Sequence, residues 1–230
     1  FIGRFGLPLV ILSLLWLTWQ FLVKANAQGL AALWNKPGVG GMSTLSALDL
    51  VIAMPVSWLP LVADFARHGR HGKSTLRGTW LGYAIANIWC YGLGVLVAIT
   101  TPSTDLVVAL LLAQGGLIAL GLILIDEVDN AYGDVYSGSV AGHSLKPGWT
   151  VRRWGVLMAV VCTALAMVLP MHSLEPFLLM LSSVFVPLYG VILARLTGRG
   201  NIAQLVGERK VNYSAVLIWF TGVLCYHLCA

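Results

Sequence analysis

Seven apolar runs, each about 20 residues long and so able to cross the hydrocarbon core of a bilayer as a helix, occupy most of this 230-residue chain. They fall near 5–24, 46–66, 77–100, 116–140, 152–170, 175–196 and 212–229. Only 10% of the residues are charged, against about 25% in an ordinary soluble domain, and 58% are hydrophobic. The expected class is therefore all-α: a polytopic membrane protein whose 230 residues form a single transmembrane domain, with the lipid bilayer as its solvent. A further apolar stretch from Asp105 to Ala113 ends at Gln114-Gly115-Gly116. That tripeptide predicts a break and a short external helix before the fourth span.

Lysine and arginine set the orientation. Arg67, Arg70, Lys73 and Arg77 follow the second run, Lys146, Arg152 and Arg153 the fourth, and Arg195, Arg199, Arg209 and Lys210 the sixth. With Arg4 they lie on one side of an alternating seven-span arrangement, leaving Lys24 and Lys36 on the other. The positive-inside rule places the larger group in the cytoplasm, as expected of a multi-pass protein of the cell membrane. Because these basic residues are scattered over short loops, the net charge of +5 does not predict nucleic-acid binding. Cys90, Cys162, Cys225 and Cys229 lie in apolar runs without CxxC or Cys/His spacing, which predicts buried thiols and no zinc site. No cofactor is expected. Phe1 opens the chain and no signal-peptide pattern precedes the first run, so the sequence reads as part of a longer protein.

The fourth run carries four of the nine acidic residues of the chain, Asp126, Glu127, Asp129 and Asp134. Carboxylates in a bilayer cost several kcal/mol each even on lenient scales, and are kept where they handle ions, protons or polar solutes. At 100° per residue Asp126, Asp129, Asn130, Gly133, Asp134 and Ser137 share one helix face. Two readings follow: a solute path along one side of the helix, or an acidic cap where the helix leaves the membrane. The second run is unusual in another way. In Asp49-Leu50-Val51-Ile52-Ala53-Met54-Pro55-Val56-Ser57-Trp58-Leu59-Pro60-Leu61-Val62-Ala63-Asp64, two prolines each remove a backbone donor. This predicts either a discontinuous helix with carbonyls free to bind a cation or ligand, or a plain kink. Trp58 is placed to stack on an aromatic ligand or to pack against a neighbour.

The residues from Met54 to Arg67 resemble the sixth transmembrane segment of the nucleobase:cation symporters of family 1, most like the hydroxymethylpyrimidine (CytX-type) branch related to cytosine permease. Asp129 to Ser139 is similar to the eighth segment of that family, and Phe185 to Ala194 to its tenth. The resemblance implies a five-plus-five inverted-repeat, LeuT-like fold of twelve helices, of which this chain would hold segments five to eleven. It also implies that the 230 residues alone do not transport.

By that resemblance the cation site of the eighth segment falls on Asp129 and Asn130, with Asp126 one turn earlier. The family pattern there is Ser/Thr; carboxylates suit Na+ or H+ as the coupling cation. The base-stacking slot of the sixth segment falls nearer Pro55 than Trp58. Pro55, Ser57, Trp58 and Asp134 are the expected substrate contacts, with Asp134 accepting from an amino-pyrimidine. Ser182, Ser183 and Pro187 form either a thin gate or a packing surface. The expected function is cation-coupled import of a pyrimidine-type base, hydroxymethylpyrimidine (a thiamine precursor) or cytosine. An ion or proton channel, or a carrier of another small polar solute, is the alternative. A membrane enzyme is disfavoured, since no HExxH or GxSxG occurs and the five histidines lie apart.

Overall fold

A computed structural model describes residues 2–35, 37, 42–101, 106–168, 174–199 and 212–229. All regular structure among them is α-helical: α1 (Ile2–Gln28), α2 (Leu30–Trp34), α3 (Thr44–Ser57), α4 (Leu59–Ala66), α5 (Gly72–Thr100), α6 (Leu106–Leu111), α7 (Gly116–Leu145), α8 (Val151–Val168), α9 (Leu174–Arg199) and α10 (Tyr213–Cys229). Lys36, Asp105, His172, Arg209 and Lys210 lie outside the described residues, as do the side chains of Arg4, Arg199 and Cys229.

Among the described residues, five helical stretches are long and apolar enough to cross a membrane: Gly6–Gln28, Thr44–Ala66, Gly72–Thr100, Val151–Val168 and Glu175–Thr197. They coincide with five of the seven expected spans. The last expected span is apolar but shorter, over Tyr213–Leu228. The fourth departs from expectation more instructively. Helix α7 has 30 residues, yet only about 15 Å of apolar helix, residues 116–125, precedes Asp126. The acidic quartet thus sits in the middle of a long helix and keeps it out of the apolar class. The predicted break before it is present, and α6 is a separate short helix.

The chain divides into two compact units, Phe1–Val39 with Asp64–Met167, and Gly40–Ala63 with Val168–Ala230. In the first, α1, α5, α6 and α7 meet around Leu17, Phe21, Leu93, Val97, Ala109, Leu110 and Ala119. Polar side chains fix this packing where backbone must leave the helix. Gln20 on α1 donates from Nε2 to the Gln114 carbonyl (2.6 Å) and accepts from the Gln114 N–H (2.8 Å). Trp16 Nε1 donates to the same carbonyl at 2.9 Å. The break after α6 is therefore satisfied by protein, as irregular backbone in a membrane requires. Gly115 has φ +73°, and a Cβ on Gly116 would lie 1.9 Å from the Leu110 carbonyl oxygen. Both positions need glycine, one for its conformation and one for space.

In the second unit α3 and α10 each pack on α9. Pro187 lies inside α9, and Gly222 of α10 faces it so closely that a Cβ would come within 2.8 Å of the Pro187 ring. Trp219 Nε1 donates to the Val184 carbonyl at 2.9 Å, one turn before that proline. Proline disturbs the helix ladder there, and α10 supplies both the gap and a donor.

Large apolar side chains cover the exterior: Leu81, Ile85 and Ile88 on α5 are exposed, as are Val156 and Val160 on α8. No residue of helix α8 is fully buried. Such a surface is an interaction site or an aggregation hazard in water and the ordinary exterior of a helix in lipid. The thiols follow the same rule. Cys90, Cys162 and Cys225 are free but exposed, not buried as the sequence suggested, because an apolar run marks lipid-facing positions as readily as core ones.

Candidate ion and solute site

Helix α7 carries the acidic face expected of it. Asp126, Asn130 and Gly133 are half-buried, Glu127, Asp129 and Asp134 are exposed, and Ser137 is buried. Burial along the face is uneven and is complete only at Ser137. Two side chains from the end of α4 and the following turn pack there. Phe65 approaches Gly133 so closely that a Cβ would lie 3.2 Å from its ring edge. Arg67 Nη2 donates to the Tyr136 hydroxyl at 2.8 Å. The sequence reading used Arg67 for the orientation and as the end of the Met54–Arg67 segment; it is exposed, but it ties the chain after α4 to α7.

Beyond this point small residues carry α7 against α8. A Cβ on Gly142 would collide with Trp154 at 2.6 Å, and one on Gly138 would touch Met158 at 3.7 Å. His143 Nδ1 lies 2.6 Å from the Trp149 carbonyl oxygen, closing the α7–α8 turn. The buried Ser137 hydroxyl has no hydrogen-bond partner among the described residues. A hydroxyl left so costs about 1–3 kcal/mol. Among the described residues the carboxylates do not converge into a metal-holding group of three. They line a helix face and do not form a cage.

The helix with two prolines is interrupted, but only at Trp58. Its backbone stays right-handed helical (φ −86°, ψ −14°), and its N–H turns to the Pro55 and Val56 carbonyls. Tightening the turn in this way leaves the Met54 carbonyl, which the Ser57 hydroxyl takes at 2.7 Å. Pro60 follows in the first turn of α4, where a missing N–H costs nothing. The expectation of carbonyls free to coordinate a cation is therefore corrected for Met54 and Val56, both of which have partners. The Ser57 donor is likewise used within its own helix. Pro55 and Trp58 are half-buried.

Pro55, Ser57 and Trp58 belong to the second unit, and Asp126, Asp129, Asn130 and Asp134 to the first. Each set is described within its own unit.

A polar group of which the sequence reading singled out only Ser182, as part of a gate or packing surface, lies wholly in the second unit. Asp49 on α3 accepts from the Ser182 hydroxyl of α9 at 2.9 Å, and from the Tyr226 hydroxyl of α10 in a very short contact. Ser182 is completely buried, and its neighbour Ser183 donates to the Met180 carbonyl at 2.7 Å. A lone carboxylate in an apolar run was the available signal for Asp49; it was read only as the start of the proline-bearing segment. Comparison of the chain with protein-family models, curated proteins and solved structures finds no match.

Proposed function

We propose that this chain belongs to a cation-coupled secondary transporter of the cell membrane that imports a pyrimidine-type base, hydroxymethylpyrimidine or cytosine. The observation that carries the reading is the acidic face in the middle of α7, ending at a buried serine without a partner among the described residues. Carboxylates are held in a mostly apolar bundle where ions or polar solutes must pass. The helix interruption at Trp58 and the sequence likeness to nucleobase:cation symporters add the substrate class and the five-plus-five inverted-repeat fold.

In this reading Asp126, Asp129 and Asn130 sense the driving cation, Na+ or H+. A hard cation prefers oxygen ligands, and a proton would instead bind a carboxylate. Asp134 accepts hydrogen bonds from the amino group or ring N–H of the base. Coupling requires that ion and base favour the same state, so each raises the affinity for the other by the same factor.

Reciprocity supplies the test. Thermal unfolding of the full-length protein is followed with cytosine or hydroxymethylpyrimidine, at fixed pH with and without sodium, and across pH without sodium. A ligand that binds only the folded state stabilises by about 2.7 kcal/mol at a hundred times its Kd. The proposal expects one base to stabilise, more strongly when one of the two cations is raised. Stabilisation by neither base under any ionic condition would contradict it.

A further inference from the structure

Residues 16–27 of α1 and residues 109–114, at the end of α6 and in the turn after it, flank a groove of about 440 Å³ within the first unit. Its lining includes Trp16, Trp19, Gln20, Lys24, Leu112 and Gln114. Polar atoms at one end are committed to each other, since the Gln114 backbone is taken by Gln20 and by Trp16 Nε1. The rings of Trp16 and Trp19 and the side chain of Leu112 are exposed. Lys24 is the one charged side chain among the described residues of the lining, and it too is exposed. It stands two turns beyond Trp16, about 12 Å along the helix axis. Its ammonium donates to the Thr101 hydroxyl at 3.4 Å and lies 5.9 Å from the centre of the Phe21 ring. An ammonium carries three donors, of which Thr101 takes one.

The shape of the groove limits what can enter it. Residues 16–27 extend about 16 Å along α1. A volume of about 440 Å³ spread over that length corresponds to a cross-section of about 27 Å². A helix about 10 Å across needs about 80 Å² and does not fit, whereas a single extended hydrocarbon chain does. Tryptophan and lysine together near the end of an apolar helix mark the headgroup level of a bilayer. There a lysine stem lies along apolar surface while its charge reaches the interface. A phospholipid joins a thin apolar chain to a phosphate at that same level.

We propose that this groove holds one acyl chain of an anionic phospholipid, with the lipid phosphate at Lys24. The chain lies along Trp16, Trp19 and Leu112 and covers their apolar surface. The phosphate accepts a charge-assisted hydrogen bond from Lys24 Nζ. A headgroup of net negative charge is favoured over a zwitterionic one, which would bring its own ammonium beside that of Lys24. An occupied groove covers the turn at Gln114, so the lipid steadies the junction from which α7 starts. This site is separate from the α7 acidic face and does not rest on the transport reading.

The test is native mass spectrometry of the full-length protein, delipidated in detergent and then offered equal amounts of phosphatidylglycerol and phosphatidylcholine. The wild type should retain phosphatidylglycerol in preference. Lys24→Gln should weaken that binding about tenfold, the equivalent of a lost charged hydrogen bond, and bring it toward the level of phosphatidylcholine. Ala27→Trp, which fills one end of the groove, should lower retention of both lipids, and it gives a second reading should Lys24→Gln not fold. Glycerol phosphate, which has no acyl chain, should not compete. Competition by it would reveal a site for free phosphate and overturn the lipid assignment. Equal retention of the two lipids, or unchanged binding in Lys24→Gln or in Ala27→Trp, would also overturn it. So would the absence of any retained lipid, the result expected if another segment of the full-length protein covered the groove.

Discussion

Helices α7 and α3 both carry carboxylates in otherwise apolar surroundings, yet they treat them in opposite ways. On α3 a single carboxylate, Asp49, has a hydroxyl on each oxygen, drawn from two other helices. On α7 four acids share about two turns, with Glu127, Asp129 and Asp134 exposed and the only buried hydroxyl of that face, Ser137, without a partner among the described residues. Partners decide what a membrane carboxylate does. One whose acceptors are taken holds helices together. One whose acceptors are open remains available to a mobile ion or solute.

The contrast predicts a graded set of mutational effects. Asp49→Ala should be the most damaging to stability, because it leaves the fully buried Ser182 hydroxyl and that of Tyr226 without an acceptor. Hydrogen bonds to a charged group contribute about 1.5–3 kcal/mol, so a loss of about 2–3 kcal/mol is expected in thermal unfolding, and less for Asp49→Asn. Equal losses for the two variants would show that the acceptor does not matter and would erase the difference between the regions.

On α7 the pattern should invert. Asp129→Asn and Asp134→Asn change exposed groups, so unfolding should move by no more than about 0.5 kcal/mol. Half-saturation for the coupling cation or the base should weaken about tenfold or more, the equivalent of a lost charged hydrogen bond. Strong destabilisation without a change in ligand response would place these acids with Asp49 as structural groups. A smaller effect belongs to Tyr136→Phe, which removes the Arg67 bond. Being exposed, that bond should be worth about 1 kcal/mol, seen as faster proteolysis near Arg67. The smallest stability effect is that of Ser137→Ala. It deletes a buried hydroxyl with no partner among the described residues, so unfolding should be unchanged or slightly later, while any role of that oxygen in ion binding would appear as a weaker cation response.

Apolar run length made most of the architecture legible. Five spans are read directly from composition, and Gln114-Gly115-Gly116 announced the break before α7 because a left-handed turn and a close backbone approach both select glycine. The acidic face also followed from periodicity. What composition overstated was the apolar length of α7, where an averaged run hid the fact that only ten residues precede the first acid. The proline pair was overread for a related reason. A missing donor predicts free carbonyls only if nothing local replaces it, and here the Trp58 N–H and the Ser57 hydroxyl both do. Asp49 was missed because its meaning depends on Ser182 and Tyr226, 133 and 177 residues away. No local pattern carries that pairing.

The most direct test of the transporter account is uptake of labelled hydroxymethylpyrimidine and cytosine by the full-length protein in vesicles, under imposed sodium or proton gradients, with Asp129→Asn and Asp134→Asn alongside. The account predicts saturable uptake of one base driven by one gradient, with Asp129→Asn weakening the gradient response and Asp134→Asn weakening the affinity for the base. Absence of gradient-dependent uptake for both bases would contradict it, and the acidic face of α7 would then have to serve another solute.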